Sequence, residues 1–248
     1  MSEDMKVLDA SDEVPSRIPA GRHSFLPQTA VGWLVMPAMV VALFAAFLFA
    51  PKEATMGDVQ RIFYFHVPSA SVAFLSFGVV FVASIQWLRT KRYWWDALAV
   101  SSAEVGIVFT TAALLSGSIW AKPTWGTWWT WDPRLTTTLI LWLIYVSYMM
   151  LRSVVENPSR RASLSAVVGI IGFIDVPVVF MSIRWWRTIH PVVITGSSIN
   201  LAPTMIVTLV VCLVAFTIFF VHLLRLRLRL ELQREEVYQL RELVLYEE

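Results

Sequence analysis

Six apolar runs dominate this chain, at 30–50, 68–88, 97–119, 135–151, 162–182 and 203–224. A bilayer's hydrocarbon core is about 30 Å thick, and about 20 apolar residues in a helix cross it. Backbone polar groups in lipid must be satisfied internally, by a helix or a closed barrel. The pattern therefore predicts an all-α polytopic membrane protein with six transmembrane helices. Composition agrees. Of 248 residues 57% are hydrophobic and 15% charged, against roughly 25% charged in soluble domains. A net charge of +2 gives no reason to expect a nucleic-acid partner. No Gly-rich phosphate loop with Lys is present, so any ATP-driven step belongs to another subunit. The single cysteine, Cys212, lies within an apolar run, which predicts a small buried side chain rather than thiol or Cys-metal chemistry.

The six-helix region, 30–224, is flanked by two polar segments. Residues 1–29 carry Pro15, Pro19 and Gly21 and read as a largely disordered tail. The run that follows reads as an uncleaved anchor rather than a signal peptide. Residues 225–248 alternate charge with Leu, and Leu230, Val237, Leu240 and Val244 share one helical face. An amphipathic helix extending the last span into water is expected. Pro68 suits the first turn of the second span, with 51–66 as the loop before it.

Charge predicts orientation. Of the 20 Lys and Arg, only Lys52, Arg61, Lys122, Arg134, Arg184 and Arg187 fall on one side of the spans; the other 14 fall on the opposite side. The basic side is cytoplasmic. Both termini are then cytoplasmic, and the loops ending in His66 and His190 face outward. In a Gram-negative cell that side is the periplasm.

The outer side also holds 120–134, W-A-K-P-T-W-G-T-W-W-T-W-D-P-R. Five of the chain's 12 Trp lie here: Trp120, Trp125, Trp128, Trp129 and Trp131. Two Pro and a Gly argue against a continuous helix, so the segment reads as an aromatic loop. An interfacial belt is the plain explanation, since membrane proteins commonly place Trp there. Five indoles closed by Asp132-Pro133-Arg134 instead suggest a platform for a large flat ligand.

Four histidines occur: His23 in the polar tail, His222 at the cytoplasmic end of the last span, and His66 and His190 outside. Aromatic and basic residues precede both outer histidines, and a proline follows each closely. A lone interfacial His is usually ordinary packing. Two neutral imidazoles beside an apolar aromatic surface fit a haem iron. Arg61, Arg134, Arg184 and Arg187 are candidates for the propionates. A zinc pair is the competing reading, but zinc wants three or four close ligands, and the outer carboxylates are only Glu53, Asp58 and Asp132. Glu104 and Asp175 lie within spans, where an ionisable residue is a functional suspect. Glu104 could simply pair within the bundle.

W-G-T-W-W-T-W-D-P-R at 125–134 closely resembles the WWD signature of the haem-handling proteins of cytochrome c maturation. R-I-F-Y-F-H-V-P at 61–68 and W-W-R-T-I-H-P at 185–191 are similar to the segments carrying that group's two haem-ligand histidines. With six spans, the resemblance is to its CcmC family, through the sixth span. It implies a non-enzymatic inner-membrane subunit that presents haem b at the periplasmic face and loads the chaperone CcmE. Its partners would be the ATPase CcmA and the membrane proteins CcmB and CcmD. By the same resemblance, His66 and His190 match the axial-ligand positions, and Trp125, Trp128, Trp129, Trp131 and Asp132 match the signature. Asp132 and Arg134 either brace the loop or meet the propionates. Two other classes stay open: a haem b electron-transfer subunit of a respiratory complex, and a small-metabolite transporter with the Trp loop as gate.

Overall fold

The computed structural model describes residues 28–190 and 201–246. The predicted tail, with His23, the segment from Pro191 to 200 and the last two residues lie outside the described residues. Seven α-helices account for the described fold: α1 (Gln28–Phe44), α2 (Phe63–Thr90), α3 (Tyr93–Trp125), α4 (Pro133–Val154), α5 (Pro158–Phe173), α6 (Asp175–Trp185) and α7 (Pro203–Tyr246). They make the six predicted spans, α5 and α6 together forming one of them.

Local sequence sets the breaks. α2 ends at Lys91, which takes the left-handed conformation at φ 54°, and α3 starts at Tyr93. Asp132 and Asn157 cap α4 and α5, each accepting a backbone N–H two or three residues on, and each is followed by Pro at the first helical position. Between α5 and α6 the chain turns at Ile174. Pro177, two residues into α6, has no N–H to continue the ladder to Phe173. α1 ends in a wider π turn over Ala45–Phe49.

α2 is the central helix, packed against α3, α5 and α7, with α4 joined to α3, α5 and α6 and α1 laid against α7. Lipid-immersed helices associate by close packing and interhelical hydrogen bonds. Here Ser102 Oγ donates to the Ser76 carbonyl across the α2–α3 contact at 2.9 Å. A Cβ on Gly106 would lie 2.6 Å from the Phe77 ring, so only glycine lets α3 approach α2 this closely. Phe77 in turn stacks on Tyr145 of α4 at 3.7 Å between centroids. These three helices form the rigid frame on which the outer loops sit. Cys212 is fully buried.

Two boundaries differ from the sequence-based expectation. α2 begins at Phe63, preceded by a 3-10 turn at Asp58–Ile62. His66 is therefore helical rather than in a loop, and Pro68 sits in the second turn. α3 runs on to Trp125 with Pro123 inside it. Proline removes one rung of the ladder, but here it does so in the last turn. Gly126, at φ 78°, then ends the helix by donating to the Lys122 carbonyl at 3.0 Å. The aromatic loop is accordingly short, and Trp120 belongs to a helix.

Candidate haem site

Where α2, α3 and α4 end, with the segment after α6, they enclose a cavity of about 960 Å³, its open mouth included. Its wall is mainly apolar, built from Phe74, Leu114, Leu135, Ile189 and the indoles of Trp120, Trp125 and Trp129. Both His66 and His190 line it, although 124 positions separate them in the chain.

His66 is held from α3. Its Nδ1 lies 3.0 Å from the Ala113 carbonyl and 3.1 Å from Ser116 Oγ. A carbonyl can only accept, so Nδ1 carries the proton and Nε2 keeps its lone pair. The ring lies edge-on to Trp120 at 5.9 Å. Gly117 makes room for it: a Cβ there would stand 3.0 Å from His66 Cε1.

His190 is held through its backbone. Its N–H donates to Thr188 Oγ1 at 3.0 Å. Thr188 Oγ1 donates to Asp132 Oδ2 at 2.6 Å, and the Ile189 N–H donates to the same oxygen at 3.0 Å. Asp132 Oδ1 meanwhile accepts the Arg134 N–H at 3.0 Å. One buried carboxylate thus caps α4 and straps the His190 segment to the aromatic loop. Among the described residues the imidazole Nδ1 of His190 is buried without a hydrogen-bond partner. Burial, then the positive charge of Arg134 and the neighbouring His66, push its pKa down to about 3 against the opposing pull of Asp132. The ring is neutral at physiological pH, as a metal-binding imidazole must be.

The other predicted residues divide. Arg134 lines the cavity, and among the described residues its guanidinium is in no ion pair. Arg61 is elsewhere, donating to the Ala46 and Phe47 carbonyls freed by the π turn and to Asp58. Arg184 and Arg187 are exposed and outside the cavity wall. Trp128 and Trp131 point away from it, 58% and 76% exposed. Glu104 pairs with Arg227 of α7. Asp175 does not line the cavity, and its Oδ2 is buried without a partner among the described residues. Among those residues, too, no three His, Cys, Asp or Glu side chains cluster as a metal site.

A family model described as heme exporter protein C matches residues 16–242, nearly the whole chain. The chain belongs to the haem exporter protein C family. Individual relatives agree. It is 35% identical to the heme exporter protein C of Bradyrhizobium diazoefficiens over 95% of this chain and 89% of that one. It is also 35% identical to that of Rhodobacter capsulatus over 81% and 86%. With the Escherichia coli K12 protein it shares 33% identity over 64% and 66%.

In this member of the family, sequence reasoning missed the supports of the two histidines. Thr188, two residues before His190, carries no signal of this role in the sequence by itself. Ala113, Ser116 and Gly117 are small residues at helical i, i+3, i+4 spacing, a pattern that marks a face meant for close approach. That face was the available signal.

Proposed function

We propose that this multi-pass membrane protein binds haem b at the periplasmic face of the bacterial inner membrane and hands it to the chaperone CcmE. One observation carries the reading: two neutral imidazoles converge on a single apolar, indole-lined cavity containing an arginine that has no ion-pair partner among the described residues. His66 and His190 are the axial ligands. His66 Nδ1–H bonds to a carbonyl, which fixes the tautomer and leaves Nε2 to coordinate. Bound haem supplies a planar apolar ring and an iron with two open axial positions, and the cavity's chemistry matches both. Trp120, Trp125 and Trp129 line the ring. Arg134 neutralises a propionate by charge-assisted hydrogen bonds. Asp132 positions His190 and does not itself meet the haem, because both its oxygens are already used.

The protein does not catalyse a reaction. Its imidazoles hold cargo and then let go. The outward Trp128 and Trp131 shape the surface the chaperone docks on, and Arg184 and Arg187 add positive charge at the rim. The complex includes CcmB, CcmD and the ATPase CcmA, where ATP hydrolysis resides.

The test is the absorption spectrum of detergent-purified protein from haem-replete cells. His66→Ala and His190→Ala should each lose the six-coordinate haem spectrum of the wild type. A wild-type spectrum in both variants overturns the ligand assignment.

A further inference from the structure

α7 has 44 residues, about 66 Å of helix at 1.5 Å per residue. That is about twice the hydrocarbon thickness, so its C-terminal half stands clear of the bilayer. Up to Glu231 one face is committed to the chain itself. Leu228 and Glu231 are buried, Arg227 pairs with Glu104, and Tyr93 Oη donates to the Glu231 carbonyl at 3.4 Å. The opposite face carries Leu226, Leu230, Gln233, Val237, Leu240 and Val244. Their spacing alternates four and three residues, the a/d repeat of a coiled coil. Leu230, Val237, Leu240 and Val244 are 56–64% exposed, so among the described residues nothing covers them.

The borders of this stripe say what would cover it. Arg234 and Arg241 run along one side, Arg229 and Glu236 along the other. None of the three arginines is in an ion pair among the described residues. A second copy is the poorer match. Antiparallel, the Arg234–Arg241 borders face each other; parallel, Arg229 meets Arg234 of the other copy, and only Glu236 opposite Arg241 is favourable. A lipid surface is no better match, because residues 225–248 hold five Arg against six Glu and have no net positive charge. A helix with apolar a and d positions and acidic flanks satisfies both the seam and the arginines.

We propose that residues 226–244 form half of a heterotypic coiled coil on the membrane side opposite the histidine cavity, taking a partner helix with acidic flanks. Gln233, polar at a core position, sets the register. The proposal stands apart from the haem reading, since no residue of the cavity takes part.

The test uses the full-length protein in nanodiscs and two labelled synthetic peptides of about four heptads. Both carry Ile and Leu at a and d; one is flanked by Glu, the other by Lys. The Glu-flanked peptide should bind with salt-sensitive affinity at least about tenfold tighter than the Lys-flanked one. Leu230→Asp with Val237→Asp should abolish that binding. Arg234→Glu with Arg241→Glu should reverse the preference while leaving the seam intact. Equal binding of both peptides, or none, overturns the proposal. So does efficient disulfide-linked dimerisation of a Val237→Cys variant, or capture of the tail by empty anionic nanodiscs.

Discussion

The two ends of the helical bundle are built on opposite terms. At the end opposite the cavity, Arg152 of α4 grips Asp96 of α3 with two hydrogen bonds of 2.6 and 2.8 Å, both side chains more than nine-tenths buried. Glu104 and Glu231 share Arg227. The buried or half-buried charges of Asp96, Glu104 and Glu231 are each matched there by an arginine. At the cavity end, His190 Nδ1, Trp120 Nε1 and Thr130 Oγ1 are buried with no partner among the described residues, and Arg134 is in no ion pair. Buried groups without a partner occur at the other end too, Trp87 Nε1 and Tyr148 Oη among them; what marks the cavity end is that His190, Trp120 and Arg134 line one hollow where a ligand could meet them. The same helices, α3 and α4, serve both purposes at their two ends.

Substitutions should split along this line. The largest effect belongs to Arg152→Ala, which strands the Asp96 carboxylate in the bundle. A loss of about 3–5 kcal/mol is expected, read as a lower midpoint of thermal unfolding in detergent, while the fraction still folded keeps its haem spectrum. A destabilisation below about 1 kcal/mol would reduce the pair to a surface-like one and erase the contrast between the ends.

Asp132→Asn should do the reverse. The amide has one acceptor oxygen where the carboxylate has two, so it cannot both cap α4 at the Arg134 N–H and accept from Thr188 and Ile189, and the His190 segment loosens with almost no change in side-chain volume. Supports of metal ligands typically cost about 10–100-fold in affinity when removed. Haem titration should show that loss with the unfolding midpoint close to wild type. A smaller change, less than about tenfold, is expected for Gly117→Ala. Its new methyl would press the His66 ring at 3.0 Å. The sign is a loss, because the ring is pinned to Ala113 and cannot retreat freely.

The mildest expectation concerns acid. Haem binding by an ordinary imidazole fades as pH falls through about 6.5. With its pKa at about 3, His190 stays unprotonated, so loading should be flat from pH 8 to about 5. Stability has a different profile. The folded value lies below the unfolded one, so the unfolded chain takes up the proton first. This residue's contribution is full above about pH 6.5 and declines as pH falls toward 3. A loading midpoint near 6.5 would mean that His190 is open to water and not part of a desolvated wall.

Much of this molecule is written locally. Length and apolarity of six runs determine six spans, because lipid leaves the backbone no other way to satisfy its polar groups. The capping Asp132 and Asn157, each before a proline, mark helix starts for equally local reasons. The residue types of the site, two histidines and a Trp-rich segment, also stand out in one dimension. Helix ends were harder. Pro68 read as the first turn of its helix and Pro123 as a break, yet α2 starts about a turn earlier, at Phe63, and α3 runs past Pro123 to Trp125.

What no local pattern could decide is which side chains meet. Five tryptophans look alike in sequence; only the end of α3 at Gly126 sorts Trp120, Trp125 and Trp129 inward and Trp128 and Trp131 outward. Four arginines looked equally suited to a propionate, until the π turn of α1 claimed Arg61 and the fold left Arg134 in the cavity wall. Asp132 became a strap because folding brought Thr188 to it across 56 positions. Helix formation depends on neighbours in the chain, and so the sequence declares it. The site depends on neighbours in space, which the tertiary structure alone supplies.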